Sequence, residues 1–251
     1  MRHRVLYTAG SPPYTTPAVQ ARSHTVHRIS VPIPAPADGG TPNWDVLDWD
    51  APAWRGLPAL AVDQPVGEPP SHAPRTLARL CWDDRCLHVV FRVEDRYVRA
   101  LAQKYQDPVC RDSCVEFFFT PGTDLRAGYF NIEMNCGGTV LFRHQHGRGV
   151  ERREVSEEDA RRLEAAHTLP SRVDPEMPGP VTWLVSYRVP FEVLERYAPV
   201  QRPRPGAAWR ANLYKCGDAT SHPHWLAWSP VDVAPPDFHR SEFFGTLRFE
   251  V

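Results

Sequence analysis

One segment of the chain places amide, carboxylate and phenol side chains at every second position. In residues 129–135, Tyr129, Asn131, Glu133 and Asn135 alternate with apolar residues. Neighbouring residues of a β-strand point to opposite faces of the sheet, so these four share one face. Amides and carboxylates together supply the donors and acceptors that sugar hydroxyls require. The pattern predicts an exposed polar sheet face suited to a saccharide, with an ordinary solvated face as the alternative.

Three further segments are expected to add polar and aromatic groups to this face. Glu116 and Asn212 lie at outward positions of predicted neighbouring strands. Residues 222–228 then place Trp225 and Trp228 beside the strand that contains Asn212. A flat ring can pack against the C–H face of a pyranose, although bulky rings after a loop also cap cores. Of the two tryptophans, Trp228 is expected to be the more buried.

Catalytic and metal-binding motifs are largely missing from the sequence. It contains no GxSxG elbow, P-loop or HExxH motif. Glu116 and Glu133 on adjacent strands could still form the carboxylate pair of a glycan hydrolase, which depends on their separation. The histidine and cysteine spacings match no zinc motif. Several aspartates leave a structural calcium open, without the spacing of an EF-hand loop: Asp45, Asp48, Asp50, Asp83 and Asp84.

The proline content indicates many short elements joined by rigid connections. The chain has 27 prolines among 251 residues, and a typical share is about 5%. Prolines end helices and are excluded from central strands, so they must lie in connections. One helix is expected, capped by Ser156 and running through residues 160–166. About eight to ten strands predict an all-β, two-sheet sandwich of jelly-roll type; the clearest are 76–82, 87–95, 112–120, 129–135, 139–143, 181–189, 209–214 and 243–249.

Length and charge limit the domain count and the partners. We expect a proline-rich lead-in over residues 1–43, with a short strand near 26–31, packed on a single domain over 44–251. A net charge of -1 leaves no basic excess for nucleic acid. The chain lacks the run of about 18 apolar residues that a membrane span requires. The first residues lack the apolar core of a signal peptide, so a cytoplasmic location is expected.

Cysteine usage agrees with that expectation. The six cysteines form no CxxC pair, and free thiols are the default in a chain without a signal peptide. A disulfide between Cys81 and Cys86, across a predicted hairpin turn, is the alternative.

Several segments, taken in order, resemble family 9 carbohydrate-binding modules. The resemblance covers roughly residues 44–251. Residues 81–95 are similar to the family pattern D…LYV.F.V.D, residues 107–119 to D.PVW..D.VE.F, residues 129–141 to Y…E.N..G.VL, and residues 182–191 to W…..IPF, while 209–214, 227–230 and 238–245 complete the match.

The resemblance implies a DOMON-like β-sandwich that binds a mono- or oligosaccharide without catalysis. It also implies a glycoside hydrolase partner in carbohydrate catabolism, and commonly calcium. Carried onto this sequence, its sugar-binding positions are Glu116, Asn131, Glu133, Asn212, Lys215, Trp225, Trp228 and Cys110. Cys110 stands where the family has one of two clamping tryptophans. Losing one ring removes about 1–3 kcal/mol of stacking, so we expect sugar binding to be weaker, altered or lost.

Related DOMON-like haem domains suggest a second interpretation, a haem b electron carrier. Met134 and Lys215 would then be the axial ligands. Met134 shares its strand face with Phe130 and Ile132, which favours core packing instead.

Overall fold

Strands make up most of the regular structure in the computed structural model, which describes residues 20–29 and 47–251. The strands are β1 Ser23–Arg28, β2 Leu60–Val62, β3 Gln64–Pro65, β4 Arg75–Trp82, β5 Cys86–Asp95, β6 Val98–Ala100, β7 Cys114–Thr120, β8 Tyr129–Asn135, β9 Val140–Gln145, β10 Arg153–Glu154, β11 Ala166–His167, β12 Val173–Met177, β13 Val181–Pro190, β14 Ala208–Cys216, β15 Trp225–Ala227 and β16 Gly245–Glu250. Three short α-helices are α1 Pro52–Arg55, α2 Glu157–Arg161 and α3 Phe191–Leu194.

Fourteen of these strands form one continuous sheet, in the order β10-β9-β8-β7-β14-β16-β1-β4-β5-β13-β11 with β2, β3 and β15 attached at its sides. The sheet curls, and its two halves pack against each other around one apolar core that draws on both. The short strands β6 and β12 pair separately. The predicted all-β sandwich is therefore confirmed. No helix among the described residues is long and apolar enough to cross a membrane.

Alternation along the strands explains the core. In β7, Val115, Phe117 and Phe119 face inward and are almost fully buried. Phe130 of β8 and Trp209 of β14 join them by stacking on Phe119, with ring centroids 5.5 Å and 5.4 Å away. Fully burying a large apolar side chain stabilises the fold by about 1.5–3 kcal/mol. This core fixes the register of β7, β8 and β14, and with it the outward-pointing residues.

The outward face of these three strands is covered as well, which the sequence did not predict. Tyr129, Asn131, Glu133 and Asn135 were expected to be exposed, and each is at least 94% buried. A second apolar group, the outer-face cluster, lies over them and includes Val66, Val109, Ala227, Val231, Phe238 and Phe244. The polar row is therefore the floor of an enclosed region and not a solvated surface.

Local boundaries differ from expectation in two places. The helix capped by Ser156 ends at Arg161, and the chain then reverses direction through Glu164, whose backbone lies in the left-handed region with φ 46°. Ala166 then pairs with Ser186 as part of β11, so the expected helix over 160–166 is wrong. Cys81 lies opposite His88 and not opposite Cys86, and all six cysteines are free thiols.

The predicted lead-in is described only in part. A strand is present there as β1, somewhat earlier than the expected 26–31, and residues 30–31 lie outside the described residues. Residues 1–19 and the rest of the lead-in up to residue 43 also lie outside them. β1 pairs in parallel with both β16 and β4.

Candidate functional site

A pocket opens on the outward face of β7, β8 and β14, beneath the outer-face cluster. Its volume is ≈ 410 Å³, within the range of about 300–1,000 Å³ usual for small-molecule sites. Its lining combines acids, aromatic rings, thiols and prolines: Cys110, Glu116, Glu133, Arg148, Cys216, Asp218, Trp225, Pro235, Pro236, Phe238 and His239.

Two glutamates form the floor of this pocket. Glu116 of β7 and Glu133 of β8 lie directly opposite each other in the sheet register. The Cys216 thiol donates to Glu116 Oε1 at 3.1 Å. The side-chain amide of Asn131 donates to Glu133 Oε1 at 2.8 Å. Both carboxyls are thus placed by rigid strands and held by neighbours on the same face.

Burial changes the protonation of these acids. Removal from water, followed by the charge of Glu133, raises the pKa of Glu116 well above its ordinary value. Burial likewise raises the pKa of Glu133 to about 7, and it raises the pKa of Asp218. A protonated carboxyl both donates and accepts hydrogen bonds. The floor can therefore satisfy hydroxyl groups in either direction near neutral pH.

Aromatic and proline side chains form the walls. Trp225 of β15 is partly exposed, and its ring N–H donates to Asp218 Oδ1 at 2.8 Å, which fixes the ring beside that carboxyl. Phe238 stacks on Tyr214 with ring centroids 4.1 Å apart and an interplanar angle of 9°. Stacking on Tyr214 therefore fixes the orientation of the Phe238 ring. The pocket thus combines apolar walls with a polar floor.

A hydrogen-bonded chain supports the floor from the side. The Gln145 side-chain amide donates to Asn131 Oδ1 at 2.9 Å and lies 3.2 Å from His239 Nδ1. The Tyr129 hydroxyl is 2.8 Å from the same nitrogen. Burial lowers the pKa of His239 to about 4, so the ring is neutral at pH 7. With two donors at Nδ1, the ring proton is placed on Nε2.

The structure brings five of the eight predicted site residues together. Glu116, Glu133, Cys110 and Trp225 line the pocket, and Asn131 holds Glu133 from the same strand face.

The other predicted residues do not reach the pocket lining. Asn212 exchanges two hydrogen bonds of 2.8 Å with the backbone of Ser229 and so positions the segment after β15. Trp228 is 3% exposed and packs in the main core, more buried than Trp225 as expected. Lys215 points to the core side, where its ammonium lies 3.5 Å from Asp95.

The residues suggested for haem do not fit that group, and the described aspartates suggested for calcium do not converge. Met134 and Lys215 both face the core. Val115 of β7 pairs with Met134 on one side and with Lys215 on the other. It therefore occupies the space between them that a haem with these two axial ligands would need. Lys215 is also 2.7 Å from His224 Nε2. Of the aspartates, Asp83 is held by His88 at 2.9 Å. No three of these aspartates converge within the part of the chain that the structure describes; Asp45 lies outside it.

Several pocket residues were not predicted as ligand contacts. Arg148, Asp218, Pro235 and Pro236 lie in loops whose sequence carries no periodic signal. Phe238 and His239 fall within one of the segments that resemble the family, and that segment was the available signal. Cys216 follows Lys215 on β14 and shares the face of Tyr214, so strand alternation could have found it.

A β-sandwich whose outward sheet face carries a pocket, floored by acids and walled by rings, defines a small-ligand-binding module. Residues 56–249, more than half of the chain, match the sequence profile of carbohydrate-binding family 9. The chain therefore belongs to carbohydrate-binding family 9. No curated protein matches the sequence significantly.

Solved structures agree with this assignment. A proposed carbohydrate-binding protein from Bacteroides uniformis ATCC 8492 is similar with a TM-score of 0.77 and 27% identity, covering 92% of this chain and 100% of that one. A family 9 module from Caldicellulosiruptor kristjanssonii in complex with cellotriose has a TM-score of 0.57 and 13% identity, covering 91% and 94%. One in complex with glucose has a TM-score of 0.55 and 13% identity, covering 91% and 95%. At 13% identity, the likeness of the last two shows the fold alone.

Proposed function

We propose that this carbohydrate-binding protein holds a mono- or oligosaccharide in the pocket between its outward sheet face and the outer-face cluster. It does so as a binding protein and not as an enzyme. The observation that carries the proposal is the convergence of the Trp225 ring with three acids, Glu116, Glu133 and Asp218, in one cavity.

Each part of the pocket has a role in this proposal. The apolar face of the Trp225 ring packs against the C–H face of a pyranose, while the polar N–H at the edge of the ring keeps its own hydrogen-bond partner. The carboxyls of Glu116 and Glu133 exchange hydrogen bonds with hydroxyls, since raised pKa values keep a share of them protonated. Asp218 orients the ring through its 2.8 Å hydrogen bond.

The solved structures of similar proteins suggest which saccharides to test first. The Caldicellulosiruptor kristjanssonii module is seen in complexes with cellotriose and with glucose. We therefore propose glucose and short glucans as the first ligands to test. The ≈ 410 Å³ volume suits one or two sugar rings better than a long chain.

Cys110 limits the expected affinity. This thiol lines the pocket at the position where the family resemblance places a second tryptophan. Phe238 cannot fully replace that ring, because Tyr214 covers one of its faces. Tyr105 does not reach the pocket, since it packs on the main core and donates to Val155 O at 2.7 Å. We expect a single-sided contact, weaker than a two-ring clamp by about 1–3 kcal/mol.

Other parts of the expected function stay predictions. They comprise the DOMON-like superfamily relationship, a glycoside hydrolase partner, and a single domain over residues 44–251 with the lead-in packed on it. The pairing of β1 with β16 and β4 supports packing of the lead-in.

Isothermal titration calorimetry with glucose, cellobiose and cellotriose tests the proposal. Trp225→Ala is expected to weaken binding about 10- to 100-fold, the equivalent of about 1–3 kcal/mol of stacking. Trp49→Ala is the matched control, because Trp49 is also partly exposed but packs under Arg79, outside the pocket lining. No heat with any saccharide, or equal loss in both variants, would overturn the proposal.

A hydrolase remains the enzymatic alternative, and a separate assay decides it. Reducing-end release from glucans should be absent for the wild-type protein. Release that disappears in Glu116→Gln would show that the carboxyl pair is catalytic and would replace the binding proposal.

A further inference from the structure

We propose that the floor of the pocket holds a zinc ion, ligated by the thiolates of Cys114 and Cys216 and by the carboxylate of Glu116. This inference goes beyond saccharide binding and does not depend on it.

Strand register brings the three side chains to one point. Cys114 and Cys216 lie directly opposite each other where β7 pairs with β14. Glu116 is two residues from Cys114, so it shares the same outward face. The sequence hides this grouping, because 101 residues separate the two cysteines and no CxxC motif is formed.

The distances fit tetrahedral zinc. One ligand atom from each residue lies within 4.8 Å of the others. The Cys216 and Cys114 sulfurs are 3.1 Å and 4.0 Å from Glu116 Oε1. With Zn–S bonds of about 2.3 Å and Zn–O bonds of about 2.0–2.2 Å, tetrahedral angles put sulfur and oxygen about 3.5 Å apart. The observed distances bracket that value, so small rotations complete the site.

Within the described part of the chain, the cluster also lacks the strong hydrogen-bond donors that a buried carboxyl usually has. Cys114, Cys216 and Glu116 are 0%, 1% and 2% exposed. The donors recorded for Glu116 are thiols, which are weak. The nearby cations are engaged elsewhere: Lys215 pairs with Asp95 on the core side, and Arg148 pairs with Asp237 at 2.7 Å. Buried acids of this kind are usually paired or coordinate metals.

The pocket supplies an entry path and a free coordination position. Glu116 and Cys216 both line the pocket, whereas Cys114 lies behind them. Three protein ligands leave the fourth tetrahedral position directed at the pocket, as in zinc sites that retain an exchangeable ligand. Ion binding displaces the protons of both thiols and of the carboxyl into solvent, so affinity should rise with pH.

Metal uptake by the full chain tests the site. The reduced protein is stripped with a chelator and then dialysed against Zn²⁺ or Co²⁺, and bound metal is measured by mass spectrometry. We expect one equivalent of zinc per chain. The Co²⁺ form should show thiolate-to-metal charge-transfer absorption. Cys114→Ser and Cys216→Ser should each lower zinc affinity at least tenfold, whereas Cys86→Ser, a buried thiol of β5, should not.

The outcomes separate this site from the sugar site. Trp225→Ala should lose saccharide binding and keep the zinc. Absence of bound zinc in the wild-type protein would overturn the inference, as would equal affinity in all three cysteine variants. If a variant fails to fold, the wild-type Co²⁺ spectrum decides, since bound cobalt without a thiolate band contradicts the assignment.

Discussion

The buried carboxyl of Glu133 should make the stability of the protein fall as pH rises. Burial raises the pKa of Glu133 from its ordinary value of 4.5 to about 7. A group with a raised folded-state pKa contributes stability that is fully present below pH 4.5 and is lost as pH increases through 7. The difference between the two pKa values corresponds to about 3 kcal/mol.

Glu133→Gln removes this titrating group and retains the hydrogen bond that the side chain accepts. The glutamine carbonyl can still accept the hydrogen bond from Asn131, which spans 2.8 Å. Relative to the wild type, the variant should therefore gain up to about 3 kcal/mol of unfolding free energy between pH 5 and pH 8. Urea unfolding at several pH values measures this difference.

Comparison between variants is needed because buried histidines titrate in the opposite sense. Burial lowers the pKa of His239 to about 4 and that of His224 to about 3. Their contribution therefore rises with pH up to about 6.5. Subtracting wild type from variant cancels this contribution.

An exposed carboxyl provides the control for the substitution itself. The hydrogen bond from Arg202 lowers the pKa of Glu195 below its ordinary value of 4.5. Glu195→Gln should accordingly show no pH-dependent difference between pH 5 and pH 8. A Glu133→Gln difference that is equally flat over that range would refute the reasoning from burial.

Three further outcomes follow from the pocket and the core. Cys110→Trp should tighten saccharide binding by one to two decades in calorimetry, because it supplies a second ring worth about 1–3 kcal/mol; unchanged affinity would show that this wall does not touch the sugar. Asp218→Ala should weaken binding more than Asp218→Asn, since only the alanine leaves the Trp225 N–H without an acceptor. Lys215→Met should cost about 1.5–3 kcal/mol in urea unfolding, because Asp95 loses the ammonium 3.5 Å away and keeps only its other partners, among them His72 at 2.9 Å, and adding Asp95→Asn should restore much of that loss.

Strand alternation made much of the fold predictable. Val115, Phe117 and Phe119 mark the inward face of β7 in the sequence, and all three are in the core. The same alternation correctly grouped Glu116 with Asn131 and Glu133 on the opposite face.

Alternation could not show what covers that face. The outer-face cluster is built from residues far apart in the chain, such as Val66 and Phe238, and its loops have no periodicity. The predicted exposure of Glu133 was wrong for that reason. Lys215 shows the complementary error. This charged residue on the inward face of β14 is accommodated by Asp95, 120 residues earlier in the chain, and by His224.

The position of β1 has a consequence for how the sheet can be completed. Ser23 lies opposite Thr246 of β16, and β1 also borders β4 at Cys81. In the described part of the chain, β1 is the strand that joins the two halves of the sheet. β1 and β16 lie at opposite ends of the described chain, so their pairing can form only after β16 has been synthesised. Removing β1 would convert β16 and β4 into open edges, which are templates for aggregation.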